Sequence, residues 1–173
     1  TFTTALGSAS INVSGTLYSS IAIPNVSEFT NLYDQFRISK IRLRFWLSQN
    51  YSNTGAVANP LLHIVNDYNS TGSFTLNDLQ QHQDLKTYQL LPGRPVVWDL
   101  YPHMRVDVLQ DSGILSSSAY NLKAGWVDTT SPNTQFLGTR IWLNMMGQTQ
   151  AYAPPYQYVF MEMEYFFEFK GVK

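Results

Sequence analysis

The chain has 173 residues, 44% of them hydrophobic and 14% aromatic, with a formal charge of −1, 13% charged residues and no cysteine. That length suits one domain with a substantial core, and a charged share well below the roughly 25% of ordinary soluble domains points to a surface buried by copies of itself. Disulfides, thiolate metal sites and cysteine nucleophiles are excluded; so is a domain whose whole surface attracts nucleic acid, and neither a secretion leader nor an apolar run of about eighteen residues is present to imply export or a membrane-spanning helix.

Period two dominates the chain. Short β-branched or aromatic runs alternate with Gly, Pro, Asn and Ser clusters, the pattern of an antiparallel sandwich or barrel. The first expected strand covers 12–23 and the second 36–48, with a helical turn over 28–35 before it. The third is the apolar run 61–67. A short helix over 76–83 follows, with Thr75 as its cap. The fourth strand, 84–91, runs into Pro92-Gly93, where Pro fixes φ and Gly accepts positive φ in a tight turn.

The fifth strand spans 96–108, and Pro102 within it marks a bulge or a strand end. The sixth covers 120–128 and the seventh 136–146. The last, 156–170, places Val159, Met161, Met163, Tyr165, Phe167 and Phe169 inward and Glu162, Glu164 and Glu168 outward. Trp98 and Trp126 fall on core-facing positions, Trp46 and Trp142 on outward ones. Eight strands with long connections fit an all-β antiparallel jelly roll over residues 1–173.

Catalysis finds no footing. His63, His82 and His103 lack metal-ligand spacing, and His103 is expected on an outward face as a titrating group. Glu162 and Glu164 share one strand face, whereas a glycosidase sets two carboxyls across a cleft. No nucleophile elbow or phosphate-cradling loop occurs. No cofactor or metal is expected: Asp67, Asp111 and Asp128 read as turn acids, and the sequons at Asn12, Asn25, Asn50 and Asn69 as chance in a Ser/Thr/Asn-rich chain.

At residues 33–46, YDQFRISKIRLRFW, the sequence resembles the capsid proteins of circoviruses and related circular, Rep-encoding single-stranded DNA viruses. Further elements follow in the same order: the apolar strand ending Asn66-Asp67, a helical insert, a polar strand over 84–90, Trp126 in a strand, Leu137-Gly138 opening the next, and the closing YFFEFK. The resemblance covers about residues 11–170. It implies two four-stranded sheets of order B-I-D-G and C-H-E-F, and assembly of about sixty identical copies into a small icosahedral shell around single-stranded DNA. Such proteins usually begin with an arginine-rich arm; none is present here, so genome contact is expected mainly through an arm absent from these residues. A place in the virion, and in the host nucleus during assembly, is implied likewise.

Lys40, Arg42 and Arg44 recur at every second residue. Read as strand C, they form a basic outer face that Arg140 on strand H joins, while the acidic last strand lies in the opposite sheet. On that placement the stripes do not pair within one subunit. The basic face then meets a neighbouring subunit's carboxylates, packaged DNA, or a sulfated polysaccharide such as a host glycosaminoglycan receptor. Trp46 and Trp142 are candidate subunit contacts. The alternatives are the coat of a small RNA or satellite virus, and a carbohydrate-binding jelly roll using the loops at 49–60 and 148–155.

Overall fold

The computed structural model describes residues 10–13, 25–47, 59–68, 74–109, 115–123, 125–130, 134, 136–144 and 159–172. Among them lie ten strands and two short helices: β1 (Ser10–Val13), α1 (Val26–Leu32), β2 (Tyr33–Leu47), β3 (Leu61–Asp67), α2 (Leu76–Gln80), β4 (Lys86–Gln89), β5 (Val96–Leu100), β6 (His103–Leu109), β7 (Leu115–Lys123), β8 (Val127–Asp128), β9 (Phe136–Asn144) and β10 (Val159–Val172).

Two antiparallel sheets face each other. In one, β9 pairs with β3 along its length on one side, and β3 with β4; β1 and β6 share the other side of β9 at opposite ends, and β7 extends β6 as a hairpin. The run β1-β9-β3-β4 is the C-H-E-F order of a jelly roll. In the other sheet the order is β10-β2-β5, with β8 also beside β2. That run is I-D-G, since the last strand is β10 and β2 lies between it and another strand.

This arrangement corrects the placement of the basic strand. β2 is not in the sheet opposite the last strand; it is hydrogen-bonded to β10 from Tyr33–Val172 to Leu47–Val159. β1 pairs with β9 as strand C does with H, so β2, the next strand in the chain, takes the place of D and not of C. The expected first strand is seen as Ser10–Val13, and 14–23 lie outside the described residues.

Pro102 does end a strand. β5 and β6 belong to different sheets, and the corner between them carries the chain across the core. The sixth expected strand is likewise two, β7 and β8, again in different sheets.

β2 keeps its apolar side chains inward over its 15 residues only because of a bulge. Ile38 pairs with Phe167 and Lys40 with Phe166, leaving Ser39 without a partner across the ladder; its Oγ instead donates to Phe166 O at 3.1 Å. Without that extra residue the phase would flip, and Phe36 and Ile38 would leave the core that Ile41, Leu43, Phe45 and Leu47 occupy. Across the core, Gly138 faces Leu100 so closely that a Cβ there would lie 2.6 Å from both Leu100 methyls.

A second, smaller core lies on the outer side of the six-stranded sheet, where Phe74 and Leu79 from the α2 segment cover Val65 on β3, with Leu85 and Trp142 packed beside them. The segment is held in shape by a reciprocal cap: Thr75 Oγ1 accepts from Asp78 N–H at 3.3 Å, and the Asp78 carboxylate accepts from Thr75 N–H at 2.7 Å.

Candidate functional site

The outer face of the four-stranded sheet gathers a set of eight paired charged side chains. Antiparallel register sets Arg44 opposite Glu162, Arg42 opposite Glu164 and Arg37 opposite Glu168, while on the other side Arg42 faces Asp99 of β5. Opposed ions on one sheet face attract across the strands. Arg42 forks onto Asp99, Nε to Oδ1 at 2.7 Å and Nη2 to Oδ2 at 3.0 Å. Arg44 spans two carboxylates, Glu162 at 3.1 Å and Glu164 at 3.2 Å.

Arg37 donates through Nε and Nη2 to Glu168 Oε2. Lys40 Nζ lies 3.7 Å from Asp99 and 4.1 Å from the Phe166 ring centre. The acidic and basic stripes therefore do pair within one subunit, against the sequence expectation. Four cations meet four carboxylates and the formal charge along the stripe is zero. Lys170 adds a fifth cation at the end where Trp126 lies.

The pairing shifts titration as electrostatics requires. The hydrogen bond from Arg42 holds the Asp99 carboxyl below its ordinary range, and the one from Arg37 does the same for Glu168. Arg42 is raised in turn, first by its hydrogen bond to Asp99. Each exposed pair is individually weak and screened by salt; bidentate geometry and the linked network favour a more rigid strand pair.

Arg140 does not join this face. It lies on β9 in the other sheet, 2.7 Å from Asp67 Oδ2, with side-chain exposures of 8% and 7% and the Phe74 ring centre 4.6 Å from its guanidinium carbon. It is a buried structural cation. Trp142 has the outward parity expected of it, but α2 of the same chain covers it, with Phe74 tilted against it at 6.1 Å.

Trp98 packs against the main core as expected. Trp126 does not: Val127 takes the inward position, and Trp126 is half-buried with the Arg37 guanidinium 4.8 Å from its ring centre. Trp46 keeps its outward parity and stacks on Phe160 at 5.8 Å.

His103 lies on the face of β6 opposite the core-facing Met104, as expected, but it is half-buried and stacked on Tyr68 at 3.8 Å, and burial with Lys123 nearby lowers its pKa. His63 is buried with Nδ1 2.9 Å from Thr87 Oγ1, and burial lowers it too. Asp67 is engaged by Arg140, and Asp128 accepts from Thr130 N–H and Oγ1–H at 2.8 and 2.6 Å, as a turn acid does. Asp111 and the loops at 49–58 and 148–155 lie outside the described residues. Among the described residues no cluster of three metal-ligating side chains occurs, and no helix is long and apolar enough to cross a membrane.

Sequence reasoning missed Arg37, Asp99, Phe160 and Phe166. The signal was present: two long strands with cations and carboxylates at the same period are complementary only when neighbours.

Among solved structures the chain is similar to the BFDV capsid protein in a 60-mer crystal structure, at TM-score 0.63 and 14% identity, over 94% of this chain and 81% of that one. It is also similar to a chain of Melon necrotic spot virus, at TM-score 0.51 and 13% identity, over 99% of this chain and 47% of the other. At such identities the likeness shows the jelly-roll fold. No curated protein matches in sequence. The family model described as circovirus capsid protein matches residues 2–173. The chain belongs to the circovirus capsid protein family.

Proposed function

We propose that this capsid protein closes into an icosahedral shell of about sixty copies around a circular single-stranded DNA genome, with assembly in the host nucleus. The family match over residues 2–173 carries the reading. It is supported by the fold shared with the BFDV capsid chain, whose crystal structure is a 60-mer, and by apolar side chains left open on one subunit: Val97 is 49% exposed, Tyr101 52% and Leu32 57%. Copies packed under symmetry would bury them, each contact modest and closure making them cooperative. The role is structural, not enzymatic.

Genome contact belongs to basic residues other than the β2 stripe. Lys40, Arg42 and Arg44 are held by Asp99, Glu162 and Glu164, and Arg140 by Asp67, so their geometry lends no support to contacts with DNA phosphate or a sulfated glycan. An arginine-rich arm of the kind usual in the family would supply that contact, with strong salt dependence. Electron microscopy of the purified full-length protein tests the reading: uniform closed shells are expected, and a protein that stays monomeric or forms only small oligomers in every buffer refutes it.

A further inference from the structure

At one end of the paired stripe the sheet's outer face opens into a cleft of about 600 Å3. Trp46 and Phe160, cross-strand partners at the adjoining ends of β2 and β10, form its aromatic wall, with ring planes 23° apart. Pro95 and Gly93 come from the turn before β5, and Gly93 has φ 71°, which keeps that wall free of a side chain. Arg44 and Glu162 line the cleft as its polar members.

The electrostatics select the ligand. Arg44 is bound to Glu162 and Glu164, whose side chains are 51% and 43% exposed and keep acceptor sites open. Exposed Arg94 at the turn brings the local count to two cations and two carboxylates. Single-stranded nucleic acid also stacks on aromatic rings, but such grooves carry surplus positive charge along the backbone path. Sulfated glycans need unpaired cations. Here cations and carboxylates balance, and Arg94 by itself is neither a surplus along a backbone path nor a cluster for sulfates.

A pyranose ring meets the conditions that are present. One of its faces is apolar C–H, suited to a flat aromatic surface, and its hydroxyls both donate and accept. Concave sites of this kind pair an apolar floor with a few placed polar groups that fix orientation. The geometry points to a carbohydrate subsite in which a neutral pyranose lies on the Trp46–Phe160 platform with its hydroxyls on Glu162 and Arg44.

The test is a saturation-transfer NMR titration of the full-length protein, as shells and as unassembled subunits, with lactose and with N,N′-diacetylchitobiose. Saturable binding of at least one disaccharide is expected, with Kd on the order of 1 mM and little change as salt rises. Trp46→Ala should weaken it about tenfold or more, while Trp46→Phe retains most of it, which separates loss of the platform from loss of fold. No saturable binding of either sugar in either state overturns the proposal. So does binding that Trp46→Ala leaves unchanged, or displacement of the sugar by a heparin hexasaccharide or an oligo-dT ten-mer.

Discussion

Asp67→Ala is the sharpest perturbation of the fold itself. Asp67 and Arg140 are 7% and 8% exposed and 2.7 Å apart, with the Phe74 ring, just before α2, over the guanidinium. Both ions have left water, so removing the carboxylate takes the charge partner at 2.7 Å from a buried guanidinium, at a cost of about 3–5 kcal/mol. A domain of this size loses about 2–4 °C of Tm per kcal/mol, so the midpoint should fall by roughly 6–20 °C. Thermal unfolding of the unassembled subunit, followed by near-ultraviolet circular dichroism, reads this, because Trp142 and Phe74 sit in the same cluster. The double variant Asp67→Leu/Arg140→Met removes both charges and should recover most of the loss. If Asp67→Ala melts within about 2 °C of the parent, the pair is not buried and α2 does not roof this sheet as described.

Three further outcomes are expected. Deleting Ser39 removes the bulge that keeps Phe36 and Ile38 in phase with Ile41, and should leave the protein insoluble or without a cooperative melt, whereas Ser39→Ala, which loses one hydrogen bond, should fold. Gly138→Ala pushes a methyl against Leu100, itself 1% exposed, and should cost about 1–3 kcal/mol by chemical denaturation. Asp99 and Glu168 have folded-state pKa values below their ordinary 3.8 and 4.5, so their stabilisation is complete above that range and is lost as pH falls through the depressed values. A Tm profile from pH 6 to pH 2 should drop at the acid end, and the drop should be shallower in Asp99→Asn.

Local rules carried far in this chain. β3 runs over Leu61–Asp67, as its apolar pattern indicates, and the cap at Thr75 and the stop at Pro102 follow from side-chain chemistry within a few residues. Sheet partners were harder to read, because pairing depends on contacts more than a hundred residues apart; Arg37 and Glu168 are 131 positions apart. Assigning β2 to strand C separated the basic stripe from its acidic neighbour and brought Arg140 to the wrong face. Two clues pointed the other way. β2 and β10 are the two longest strands among the described residues, and their charges have the same spacing and opposite sign. Arg140 interrupts an apolar strand and Asp67 ends another, a combination better suited to a buried pair than to a solvated patch. Trp126 misled because β8 has only two residues, too few for alternation to fix which one turns inward.

Native mass spectrometry of the full-length protein, freed of nucleic acid by high salt, tests the central claim most directly. Sixty copies of a 19.7 kDa chain correspond to about 1.2 MDa, with any additional N-terminal arm adding its own mass. A single dominant species at the mass of sixty chains is the predicted result. A distribution confined to monomers and small oligomers, unchanged across pH and salt, contradicts it.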